Sequence, residues 1–220
     1  MTLDQFDAVV FDLDGTLAIL DVDWRTLREE LATLLAEHGV DVGDTGDVWR
    51  LLDGAEHVGV GEEAHARIRQ HEVAGAESSA RLPLADRVAP LAEAGVPVGI
   101  CSLNSPEAVR IALDHHGLAR HVDAVGGREH GSPRKPDPEP LLDVVEALGA
   151  TPDTAVFVGD SPGDEATAEA AGVAFRRAAA LHDGYPESWE GVLDSDDAGD
   201  LIDELTGDDA GGSRSDADDA

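Results

Sequence analysis

The sequence predicts an α/β fold: a parallel sheet with helices on both faces and a helical insert after the first strand. Three observations predict it. Short apolar runs of strand length recur along the chain, helical patterns separate the later ones, and two of the runs end in closely spaced aspartates. A strand that delivers carboxylates into a loop is the expected arrangement at the carboxyl edge of an open parallel sheet, where such sheets bind ligands.

The first run is Ala8 to Phe11, followed by DLDGT. Four more runs read as strands: PVGI within 97–100, VDAV within 122–125, AVFV at 155–158 and VAF at 173–175. Helical stretches fall at about 106–115, 138–148 and 163–170, so strand and helix alternate, which favours a parallel sheet with covered faces. The stretch from Ala18 to Leu82 breaks this rhythm. It has no convincing strand, and Trp24, Leu27, Leu31, Leu34 and Leu35 recur at helical spacing, as do Val48, Leu51, Leu52 and Ala55. The expected organisation is therefore an α/β core of residues 1–17 and 83–193, a helical insert over 18–82, and an acidic tail over 194–220. That tail carries eleven acidic residues and one arginine; its composition predicts disorder beyond a short helix at Asp200 to Leu205.

Of 220 residues, 47 are acidic and 15 basic, for a formal charge of -32. Nucleic acids and anionic membranes would meet strong repulsion, so neither is an expected partner. Hydrophobic residues make up 42% of the chain, enough for a core, but only eight are Phe, Tyr or Trp, so the core should be small and aliphatic. Lys135 is the sole lysine; arginine supplies the other fourteen basic residues. This balance resembles proteins of salt-rich cytoplasm, in which screening shortens like-charge repulsion, and predicts a melting temperature that rises with salt. Cys101 alone can form neither an intrachain disulfide nor a cysteine metal cluster and reads as a small buried residue. No apolar run reaches 18 residues and the N-terminus lacks a basic signal region, so a cytoplasmic location is expected.

Aspartate occupies 29 positions, so the D-x-D pattern of Asp12 and Asp14 should arise about four times by chance and means little by itself. Its place after a buried strand gives it weight. An EF-hand loop would need glycine where this chain has Leu17. Asp160 and Asp164, in GDSPGDEA after the run at 155–158, would share a crevice with Asp12 if the two strands are neighbours. Converging carboxylates raise one another's pKa unless a cation joins them, and a hard, oxygen-seeking Mg2+ suits them best. Ser102, after the second apolar run, offers a hydroxyl and nearby N–H groups to an anion, and Lys135 offers a compact ammonium. The histidines, His65, His71, His115 and His116 among them, have no zinc-like spacing.

Taken together and in order, DLDGT at 12–16, Ser102 in ICSLN, Lys135 in RKPDP and GDSPGDEATAEAAG at 159–172 resemble the four motifs of the haloacid dehalogenase-like superfamily, phosphatase branch, over about residues 5–180. The resemblance implies a Rossmann-like core with the fourth-motif strand beside the first, and makes the insert a small mobile helical cap. It implies that Asp12 is the nucleophile and Asp14 the general acid and base. Mg2+ would be held by Asp12, Asp160 and the backbone carbonyl of Asp14, with Asp164 holding it directly or through water or positioning Lys135, Lys135 offsetting charge and Ser102 binding phosphate. Leu103 stands where the family commonly has asparagine or a small polar residue, and Asn104 follows one place later as a substitute contact. Asp14 favours a phosphatase over the related dehalogenases, which need no acid for a halide and typically lack this residue.

A cap of about 65 residues suits a small phosphorylated metabolite better than a bulky protein phosphosite. Phosphoglycolate, pyrophosphate and sugar phosphates are the substrates that the resemblance suggests. Arg25, Arg67 and Arg81 are candidates to meet a substrate carboxylate. The alternatives are a phosphomutase of the β-phosphoglucomutase kind and a non-enzymatic binding or regulatory protein; the sequence leaves monomer and homodimer both open.

Overall fold

The computed structural model describes residues 3–43, 47–182 and 185. In chain order its strands are β1 (Ala8–Phe11), β2 (Ala18–Ile19), β3 (Ala80–Arg81), β4 (Val98–Cys101), β5 (Ala124–Gly126), β6 (Ala155–Gly159) and β7 (Ala174–Arg177). Five of them make one parallel sheet in the order β5-β4-β1-β6-β7. All four residues of β1 are buried because both faces of the sheet are covered, which is why the run shows no polar alternation. Val9 and Phe11 point into one core with Val98, Ile100, Val156 and Val158; Ala8 and Val10 point into another with Ala155 and Phe157.

The helices are α1 (Trp24–Glu37), α2 (Val48–His57), α3 (Gly61–Glu77), α4 (Val88–Glu93), α5 (Pro106–His115), α6 (Glu139–Ala147) and α7 (Pro162–Ala171). The first face of the sheet is covered by α5 through Ala108, Val109, Ala112 and Leu113. The second is covered by α6 through Leu141, Val144 and Val145 and by α7 through Ala168 and Ala171. Burial of each leucine or valine side chain here contributes about 1.5–3 kcal/mol. Ser105 starts α5 by accepting the Ala108 N–H, with Pro106 in the first turn where its missing N–H costs nothing.

The insert has a core of its own. Leu27, Leu31, Leu34 and Leu35 of α1 mesh with Val48, Leu51, Leu52 and Ala55 of α2 and with Ala64 and Ile68 of α3. Asp23 and Asp47 cap α1 and α2 by accepting the N–H groups of Thr26 and Trp49, both at 2.9 Å. Helix α3 also lies along α5, joining the cap to the sheet domain.

Two features differ from the sequence expectation. The insert begins and ends in a ribbon, with Ala18 paired to Arg81 and Ile19 to Ala80, in strands of two residues that are too short to carry a period. The six-residue α4 and the tight turn Pro83–Arg87 before it were not foreseen for the same reason. The tail at 194–220, with the helix expected at 200–205, lies outside the described residues. Among the described residues no helix is long and apolar enough to cross a membrane.

Candidate active site

Sheet register brings the site together. Phe11 pairs with Ile100 on one side and Val158 on the other, so β1, β4 and β6 end at one level. Asp12, Ser102 and Asp160 are the residues just beyond those ends, at the point where the chain leaves β1 toward opposite edges of the sheet. One oxygen each of Asp12, Asp160 and Asp164 lie within 4.8 Å of one another, and all three residues are buried. Asp164 reaches the cluster from the first turn of α7, where it forms a capping box with Ser161: its Oδ2 accepts the Ser161 N–H at 3.0 Å and hydroxyl at 2.6 Å. Gly159 makes room for this, since a Cβ there would stand 2.6 Å from the Asp164 side chain.

Lys135 enters between the acids. Its Nζ donates to Asp164 Oδ1 at 2.5 Å and lies 3.0 Å from Asp12 Oδ1. The latter approach is an ion pair without hydrogen-bond geometry: among the described residues, Asp12 Oδ1 is the buried side-chain oxygen or nitrogen left without a hydrogen bond. Thr16 donates to Asp160 Oδ1 at 3.3 Å, and Arg177 of β7 donates to the Asp160 carbonyl at 2.7 Å. The Ser102 hydroxyl donates to Asn104 Oδ1 at 2.9 Å and accepts the Asn104 N–H at 3.2 Å, so both residues belong to one compact loop.

Burial is the main cause of the site's unusual titration. It pushes the Asp12 carboxyl up against the opposing pull of Lys135. Asp160 is raised by burial and then by Asp12 and Asp164. Burial also lifts Asp14 to about 7, with the Leu20 N–H, 3.0 Å from Oδ1, pulling the other way. Burial alone would depress the Lys135 ammonium, but Asp12 and Asp164 outweigh it and hold it above the ordinary lysine range. Cys101, at the end of β4, is fully buried and its thiol is pushed up to about 12, which makes it an inert packing residue.

Three clustered carboxylates, only two of them paired with the ammonium and one oxygen still lacking a hydrogen bond, fit a hard divalent cation. Asp12, Asp160 and Asp164 form the Mg2+ site. The Asp14 carboxylate stands outside the trio, beside the same cleft.

That cleft, of about 1680 Å³, runs from the acids to the cap, where Trp24, Arg28 and Trp49 line it. The arginines that the sequence suggested for substrate lie elsewhere. Arg67 donates to the Glu30 carbonyl and pairs with Glu63; Arg81 donates to the His116 carbonyl and pairs with Asp86. Arg25 is exposed and does not line the cleft, whereas Arg28 and Arg134 do. Arg134 pairs across the mouth with Asp53 and Glu56 of α2. Sequence reasoning missed Arg28, and also Arg177 and Thr16 as supports of Asp160. Arg28 could have been found from α1's periodicity, since it follows Trp24 by four residues and shares its side of the helix.

Known proteins share much of this sequence and its fold. Over 185 residues the chain is 36% identical to a phosphoglycolate phosphatase of Rhodospirillum rubrum, covering 76% of each chain. It is 35% identical over 196 residues to phosphoglycolate phosphatase 1 of Pseudomonas aeruginosa, covering 80% of this chain and 70% of that one. Its fold resembles crystalline CbbY of Rhodobacter sphaeroides in complex with phosphate, with a TM-score of 0.57 and 22% identity over 78% of this chain and 85% of that one. Residues 6–172 match the family model of a haloacid dehalogenase-like hydrolase, and the chain, with its Asp-based Mg2+ site, belongs to that superfamily as a phosphoric monoester hydrolase.

Proposed function

We propose that the substrate is a small phosphate monoester with a second anionic end, phosphoglycolate in the first instance, and that the residues at the sheet edge divide the reaction as follows. Asp12 attacks phosphorus in line. The bond from phosphorus to the ester oxygen breaks, and Asp12 carries the phosphoryl group as an aspartyl phosphate. Asp14 gives its proton to the departing alkoxide, then removes one from the water that attacks this phosphorus, releasing inorganic phosphate and restoring Asp12. A carboxyl lifted to about 7 can both give and take a proton near neutrality. Lys135, fixed by Asp164, offsets charge on the transferring oxygens, and the Ser102 to Asn104 loop binds them. Mg2+ held by Asp12, Asp160, Asp164 and the Asp14 carbonyl supplies further charge neutralisation at the phosphoryl group.

The convergence of Asp12, Asp160 and Asp164, with Lys135 paired to Asp12 and Asp164, carries this reading. The substrate assignment is supported by the relatives' activity and by Arg28, which lines the cap side of the cleft and can meet a carboxylate. The ribbon of β2 and β3 supports a division in which residues 18–82 are the cap and 1–17 with 83–193 the core.

Phosphate release from phosphoglycolate, pyrophosphate, nucleotides and sugar phosphates, with and without Mg2+, tests the proposal. Release that needs Mg2+ and is fastest with phosphoglycolate is expected, and Arg28→Ala should raise KM about tenfold for phosphoglycolate but little for an ester with a neutral end. Interconversion of glucose phosphates without release would instead assign a phosphomutase. Equal loss for both esters in the Arg28 variant would remove that residue from carboxylate recognition.

A further inference from the structure

Arg128, two residues beyond β5, grows out of the sheet domain and ends inside the cap. Its backbone N–H donates to the Asn104 carbonyl at 2.9 Å, and Ser102 donates its own N–H to the Gly126 carbonyl at 3.0 Å, so residues 126–128 run along the phosphate loop. Gly127 permits that contact: a Cβ there would stand 2.7 Å from the Asn104 carbonyl oxygen and 2.8 Å from the Pro106 nitrogen. The side chain adds a third tie, from Nε to the Leu103 carbonyl at 3.0 Å.

The guanidinium then meets three cap side chains. One terminal nitrogen donates to both Glu72 oxygens of α3, at 2.9 and 3.0 Å, and the other contacts His65 Nδ1 at 2.5 Å. Because Nδ1 accepts from arginine, the His65 proton sits on Nε2 and is donated to Glu56 at 3.1 Å. The guanidinium carbon lies 5.6 Å from the centre of the Trp49 ring, and Trp49 lines the cleft. Glu72 reaches back in turn, its Oε2 accepting the Ser105 N–H at 2.9 Å. The two charged side chains are 1% and 0% exposed.

A buried ion pair generally stabilises a fold no more than two well-packed apolar side chains would, so stability alone gives little reason for this one. What apolar side chains could not do is hold the Leu103 carbonyl and the Ser105 N–H, the backbone on either side of Asn104. We infer that Arg128 and Glu72 are positioning residues that keep the Ser102 to Ser105 loop in its phosphate-binding shape while α3 of the cap is seated on the core. A substrate that touches Trp49 thereby meets, through one guanidinium, the loop that binds its phosphate. This inference rests on the phosphatase reading, in which Ser102 contacts phosphate.

The test uses the full chain with Mg2+ and compares Arg128→Lys, the charge-neutral double variant Glu72→Gln with Arg128→Met, and Ser102→Ala. Melting temperature, kcat, KM and the inhibition constant of inorganic phosphate are measured for each. Lysine keeps a charge for Glu72 but cannot also serve Leu103 and His65. Both the lysine variant and the double variant should fold yet show KM and the phosphate inhibition constant raised about tenfold, with a smaller fall in kcat. Wild-type KM and phosphate inhibition in a folded variant, or activity lost only in step with the folded fraction, would overturn the inference. If the double variant does not fold, the lysine variant decides on the same readouts. Wild-type phosphate inhibition in Ser102→Ala would locate the failure in the phosphate-loop reading instead.

Discussion

Among the described residues, two buried charge clusters are built in opposite ways. At the sheet edge three carboxylates cluster and two of them pair with one ammonium, and Asp12 keeps an oxygen without a hydrogen bond. At the joint between cap and core, one carboxylate grips one guanidinium whose three nitrogens all have partners. The first is incomplete without a cation and without substrate; the second is complete in the folded chain. An unbalanced cluster stores repulsion that a ligand relieves, and so is fitted to bind and react. A balanced cluster has nothing left to offer a ligand, and can only hold its neighbours in place.

The contrast is broken most directly by removing charges. Asp12→Asn should reduce phosphate release at least about 10³-fold, since no nucleophile remains, while the melting temperature without Mg2+ stays level or rises because repulsion is relieved. Asp14→Asn should cost about 10²-fold or more in kcat with the fold intact, and an unchanged rate would remove its acid and base role. At the joint the same kind of change should act on stability. Arg128→Met alone strands the Glu72 carboxylate and should cost about 3–5 kcal/mol in urea unfolding, and adding Glu72→Gln should recover most of it. A smaller loss from the single than from the double variant would show that the pair is not the balanced unit described.

Mg2+ sharpens the comparison from the other side. A cation that binds the native chain at a hundred times its dissociation constant adds about 2.7 kcal/mol, so Mg2+ should raise the melting temperature. Asp160→Asn should lose most of that rise, whereas Arg128→Lys should keep it. Equal shifts in both variants would mean that the cation binds somewhere other than the acid trio.

The site was far more legible in the sequence than the joint, and the reason is physical. Asp12, Ser102, Lys135 and Asp160 each follow an apolar strand or precede a proline-marked helix, and parallel strands bring such ends to one edge whatever their separation in sequence. Their chemistry and their place could be read together. Glu72 and Arg128 are 56 residues apart with no local signature. Glu72 sits in a helix rich in charged and small residues, where an acid ordinarily faces water. Its burial depends on how α3 crosses α5, which no period in either helix specifies. The cleft is a partial exception: the period of α1 puts Arg28 on the side of Trp24, but that this side lines the cleft depended on the seating of the whole cap.

The smallest effect expected concerns acid, and it falls on the joint. His116, at the end of α5, meets Ser79 just beyond α3, its Nε2 lying 2.9 Å from the hydroxyl. Ser79 spends its own proton on the Ala76 carbonyl, so the imidazole must be the donor. Burial, then His115 and Arg81, push the His116 pKa down to about 4, and burial likewise lowers that of His65 beside Arg128. In the unfolded chain both would titrate near 6.5. Between that value and the folded one the unfolded chain binds more protons, so stability is complete above about pH 6.5 and declines as pH falls toward 4. His116→Gln can still donate to Ser79 and carries no charge in acid, so it should flatten this decline by on the order of 1 kcal/mol, the half-buried imidazole being partly screened by solvent. Urea unfolding at pH 7 and pH 5 measures it; an undiminished acid loss in the glutamine variant would assign the sensitivity to His65 and the Arg128 socket.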